Sequence, residues 1–142
     1  MNQKQIKLAK WLTIFGAIPF IACVVLAVAT SDKVHAGYFS LTYGAVIASF
    51  LSGMHWGLYL TQADKTRINL LITSNMIALL SWLSLLLIHP LAQYCIQIAC
   101  FMSLLIIDRV LMADGIISQW FYRLRVNISI VVVISLIVLA FI

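Results

Sequence analysis

The sequence predicts an all-α integral membrane protein, a five-helix bundle. Three observations carry that prediction. Hydrophobic residues make up 64% of the 142 positions and charged residues only 9%, whereas a soluble domain is nearer half apolar and a quarter charged. The apolar residues fall in five long runs separated by short polar connections. At about 20 residues per crossing, such runs use up the whole chain and leave no extramembrane domain.

The polar stretch 1–10 carries Lys4, Lys7 and Lys10 and leads into an apolar run over 11–30. A basic start, an apolar run and Ala27-Val28-Ala29 imitate a cleavable signal, but the run is too long for a signal core and is read as the first span. A polar connection at 31–37 precedes the second span, 38–61. The third covers 68–88 and stops at His89-Pro90, because proline cannot continue a helix and restricts the residue before it. So brief a turn makes the fourth span, 91–112, its antiparallel neighbour. Asp114-Gly115 then signals a turn. Residues 115–125 place Ile116, Trp120 and Leu124 at helical spacing, which predicts a short amphipathic interfacial helix with Trp120, Arg123 and Arg125 among the headgroups. The fifth span is 127–142.

Basic residues set the expected orientation. With the N-terminus cytoplasmic and the C-terminus outside, Lys4, Lys7, Lys10, Lys65, Arg67, Arg109, Arg123 and Arg125 fall inside and only Lys33 outside. The net charge of +5 is therefore a topology signal and not a nucleic-acid surface, since these residues sit at span ends and form no stripe. The expected location is a bacterial inner membrane, with the lipid bilayer as the first partner.

Depth along the helices brings polar residues together. At about 1.5 Å per residue, His55, Asn75 and Asp108 lie at similar distances from the cytoplasmic side. An ionisable group in hydrocarbon needs a partner, so His55 and Asp108 are expected to face the bundle interior while Arg109 reaches the headgroups. His55, Trp56, Asn75 and Asp108 are thus the candidate polar cluster or ligand site. On the same helix Ser49, Gly53 and Gly57 recur every four residues, a flat strip that suits close helix packing. Cys23, Cys95 and Cys100 lie inside apolar runs and carry no redox inference. His35 and His89 belong to the opposite side from His55, and no metal site or catalytic residue is assigned. The cofactor is unknown.

Gly53-Met-His55-Trp56-Gly57, the stretch 74–82, Asp108 and Trp120-Phe-Tyr122-Arg-Leu124-Arg125 together resemble the transmembrane-protein-sixty-nine-like family of small inner-membrane and mitochondrial proteins. The resemblance covers the second to fifth spans and implies a multi-pass fold with no established activity. It departs from the family pattern in the third span, where Ser74-Asn75-Met76-Ile77-Ala78-Leu79 lacks a helix-breaking proline.

The leading expectation is a non-enzymatic accessory or assembly subunit of a membrane complex, such as a respiratory one, bound to other inner-membrane subunits. The alternative is a binding protein or enzyme for a quinone, porphyrin or lipid held in a cytoplasmic-leaflet pocket by His55, Trp56 and Asp108. The third is a proton or ion transporter.

Overall fold

The computed structural model describes residues 2–30 and 32–142, all of them in helices and short turns. Ser31, the first residue of the expected connection at 31–37, lies outside the described residues. Six α-helices follow in order: α1 Gln3–Phe15, α2 Ile18–Thr30, α3 Lys33–Gln62, α4 Leu70–Ser84, α5 Pro90–Ala113 and α6 Gln119–Phe141. The first two form one broken segment, so the described residues make five helical units, four of them long and apolar enough to cross a membrane. This is a multi-pass membrane protein.

Four boundaries differ from the sequence expectation, each for a local reason. The first unit begins at Gln3, well before the expected start at residue 11, and is interrupted at Gly16-Ala17. Pro19 has no N–H for the carbonyl four residues back, and Ala17 N bonds Ile14 O at 3.0 Å in a tighter turn. The expected connection at 31–37 is mostly helical. Asp32 caps α3 by accepting from His35 N at 3.2 Å, so the helix begins at Lys33 instead of residue 38.

α4 is 15 residues long and ends at Ser84, four residues before the expected stop. At about 1.5 Å per residue it measures roughly 22 Å, less than the roughly 30 Å hydrocarbon core. Beyond it Gln93 Nε2 donates to Leu87 O at 2.6 Å, tying down the unwound turn, and Pro90 opens α5 in its first turn. The separate interfacial helix at 115–125 does not form. Instead α6 runs unbroken from Gln119, because no Gly or Pro interrupts residues 116–142.

The turn signal at Asp114-Gly115 does hold. Gly115 has φ 73°, Ile116 N bonds Leu111 O at 2.9 Å and Gly115 N bonds Met112 O at 3.1 Å, the Schellman closure of a helix end.

α3 is the central post and packs against α2, α4, α5 and α6. Its buried face is built on Ala36, Ser40, Gly44, Ala48 and Ser52, one small residue per four positions. A Cβ on Gly44 would stand 3.1 Å from Gln97 Oε1, so here the glycine makes room for a neighbour. Ser49, Gly53 and Gly57 lie on another face and are exposed, with nothing within 4 Å of a Cβ built on either glycine. Among the described residues the expected packing strip therefore faces outward, with nothing packed against its glycines. Between the helices Phe20, Leu104, Leu111 and Leu136 fill the core. α1 contributes no buried residue and leans on α6, where Lys10 Nζ lies 5.9 Å from the Trp120 ring centroid.

Candidate functional site

At the end of the bundle that carries most of the basic residues, three helices each bring one ionisable side chain to a single point. Asp108 of α5 is completely buried. Its Oδ1 lies 2.8 Å from His55 Nε2 of α3, and its Oδ2 accepts from Arg125 Nε of α6 at 2.9 Å. A carboxylate only accepts, so the first contact places the hydrogen on Nε2 of His55. Asp108 lies five positions from the end of α5 and Arg125 six from the start of α6, about 8 to 9 Å inside their helix ends. In hydrocarbon this ion pair offsets charges that neither residue could carry alone there.

The network is not closed. Arg125 engages Asp108 through Nε alone, and Arg125 Nη2, His55 Nδ1 and Ser52 Oγ are buried with no hydrogen-bond partner. A buried donor or acceptor without a partner normally costs about 1–3 kcal/mol. Two of these atoms belong to the side chains that hold the Asp108 carboxylate, and Ser52 stands about one turn before His55 on α3.

Arg125 also forms part of the wall of a lateral groove of about 430 Å³ lined by α1, α2, α3, α5 and α6. Leu12, Phe20, Ile47, Leu51 and Phe101 give it an apolar lining, with Met54 and Phe121 toward the helix ends. The volume falls within the roughly 300–1,000 Å³ of small-molecule pockets. Its α1 wall is the segment before the break at Gly16-Ala17, which rests on α6 without burying a side chain.

The other expected residues separate. Asn75 is exposed and donates to Leu71 O of its own helix at 2.8 Å, so it does not join His55. Trp56 is 40% exposed on the lipid side of α3, outside the network. Arg109 is exposed, as its place one residue past Asp108 implies. Arg123 is exposed and Trp120 half-buried at the start of α6, but Arg125, expected in the headgroups with them, is 5% exposed inside the bundle. Among the described residues no group of three or more His, Cys, Asp or Glu is placed to hold a metal ion, and Cys23, Cys95 and Cys100 are free thiols.

Residues 5–141 match the family model described as "Protein of unknown function (DUF3429)". The chain belongs to the DUF3429 family. It is 28% identical over 136 residues to Transmembrane protein 69 of Mus musculus, covering 93% of this chain and 55% of that protein. Against Transmembrane protein 69 of Xenopus tropicalis the identity is 28% over 135 residues, covering 92% of this chain and 53% of the other. The chain thus spans about half the length of these curated relatives. No solved structure matches. These likenesses agree with the family resemblance carried by the motifs around His55 and Trp120.

Within this DUF3429 chain the residue that sequence reasoning missed is Arg125. The available signal was its spacing: 125, 129, 132 and 136 mark the buried face of α6, with Ser129, Val132 and Leu136 following the arginine inward. Seen as the first member of that series, Arg125 belongs to the core face.

Proposed function

We propose that this protein holds a membrane amphiphile in the groove between α1 and α6, as a binding protein without enzymatic activity. The observation that carries this reading is Arg125, a permanently charged side chain in the wall of an apolar groove with a terminal nitrogen unpartnered. The excess of basic residues at this end favours the cytoplasmic leaflet of a bacterial inner membrane. Among the described residues the lining pairs neither of its hydroxyls, Thr13 and Ser129, with a base, and the Thr13 hydroxyl donates to Ala9 O at 2.8 Å. Transport draws less support. Toward the other end lies a second polar cluster around Gln97, but Ala48, Leu51, Phe101 and Leu104 are buried between it and Asp108.

A second reading, an accessory or assembly subunit of a membrane complex such as a respiratory one, is favoured by the outward strip of Ser49, Gly53 and Gly57 beside exposed Phe50 and Trp56. Small residues facing lipid leave room for another protein's helix.

One experiment weighs both. Native mass spectrometry of the untagged protein, released from nanodiscs of its own membrane lipids, should show one retained amphiphile per chain. Leu12→Trp, which adds bulk to the α1 wall away from the ion network, should abolish retention at unchanged helical circular dichroism. Equal retention by this variant would refute the groove reading, and a fixed heteromeric mass would favour the subunit reading.

A further inference from the structure

We infer that the amphiphile carries an anionic head, a carboxylate or phosphate, seated on the Arg125 guanidinium with its chain running inward along the groove. This rests on the groove reading above and adds the chemical class of the ligand. Among the described residues Arg125 is the one charged side chain lining the groove, and it holds Asp108 by Nε only. Its Nη2 is buried without a partner. A guanidinium presents donors in a planar fork that matches carboxylate and phosphate oxygens, so the unused donors select an anion over a neutral head.

The depth of the residues fits a head at one end and a chain at the other. Arg125, Ile128 and Val132 succeed one another inward along α6, over about 10 Å of helix axis. Met54 and Ile47 on α3, and Leu12 and Phe20 on α1 and α2, run the same way on the facing walls. Apart from Arg125, the Ser129 hydroxyl and the Thr13 hydroxyl, which donates to Ala9 O, the lining is apolar, which suits hydrocarbon. On neighbouring residues of α1 and α6, Lys10 and Arg123 line a second cavity of about 440 Å³ with Trp120, a basic surface that attracts anionic amphiphiles.

The test offers the whole chain, in a neutral detergent, equimolar oleate and oleyl alcohol, two probes that share a chain and differ in head charge, and counts adducts by native mass spectrometry. The wild type should take up one oleate about tenfold or more in preference to the alcohol. The double variant Arg125→Gln with Asp108→Asn removes both charges without leaving one buried alone, and should lose the preference while still binding the alcohol. Arg125→Lys, which keeps the charge and the pairing to Asp108, should retain a reduced preference and serves if the double variant does not fold. Equal uptake of both probes by the wild type would overturn the anionic head and leave the groove standing. Uptake of neither would remove the groove as well. Displacement of oleate by inorganic phosphate at matched concentration would assign the site to a free anion, against the inference.

Discussion

The bundle contains two buried polar clusters, one at the basic end and one nearer the opposite end, and they are built on opposite terms. Around Gln97 every polar atom is matched: Ser81 Oγ donates to Oε1 at 3.1 Å, and Nε2 donates to Ser81 O and Ser84 Oγ at 3.0 Å each. Ser84 Oγ donates in turn to Ser81 O at 2.7 Å. This cluster is neutral, it spans α4 and α5, and Gly44 of α3 admits it. Around Asp108 the groups are ionisable and join three helices; Arg125 and His55 each keep an unpartnered atom, as does Ser52 about one turn from His55. A saturated neutral cluster ties helices together and has no donor or acceptor left to offer. A charged cluster with atoms to spare ties them together and keeps unpartnered atoms, the feature on which the proposed amphiphile site rests.

The largest break in that comparison comes from Asp108→Ala. It leaves Arg125 buried without its anion and should destabilise the protein by about 3–5 kcal/mol, read as a lower thermal unfolding midpoint in detergent. Replacing both partners, Asp108→Leu with Arg125→Leu, should recover most of the loss; a double variant as unstable as the single one would show that the ion pair is not what the fold depends on.

Gln97→Leu probes the neutral cluster and should cost less, about 1 kcal/mol, in line with interhelical hydrogen bonds inside membranes. It should leave amphiphile retention at Arg125 unchanged. Loss of retention in this variant would mean that the two clusters act as one.

The smallest effect concerns Asp32, outside both clusters. Hydrogen bonds from the His35 side chain and backbone hold the Asp32 carboxyl below its ordinary range. Because the value is lowered in the folded state, the cap contributes above the unfolded value near about 4 and is lost as pH falls through the lowered folded one. Asp32→Ala should therefore lower the unfolding midpoint slightly at neutral pH. The difference from wild type should vanish in acid, and a gap that persisted there would refute the assignment.

His55 and Asp108 were legible as partners because depth is legible. Hydropathy marks helix ends, and the rise per residue converts position into depth. Asn75 passed the same depth test and failed to join, since it follows Ser74 on α4 and the buried face there is Leu70, Ser74, Ile77, Ser81 and Ser84. Trp56 fails likewise, one residue around the helix from His55, at about 100° per residue. Arg125 was misplaced for a matching reason. Close to a helix start, an arginine can reach headgroups or turn inward, and spacing from the interface is the same in both cases.

The sequence by itself determined that this is a membrane-embedded helical chain, roughly where its apolar runs lie, that Asp114-Gly115 closes a helix, and which polar groups share a level. Only the tertiary structure decided how far each helix is rotated about its axis. That rotation put the face of Ala36, Ser40, Gly44, Ala48 and Ser52 inward and the strip of Ser49, Gly53 and Gly57 outward, and it swung Arg125 onto Asp108. The physical reason is the solvent. In water an amphipathic helix declares its buried face by its apolar stripe, but lipid is as apolar as the core. Both faces of a spanning helix are therefore apolar, and the choice between them falls to close packing and a few buried hydrogen bonds that exist only once the helices meet.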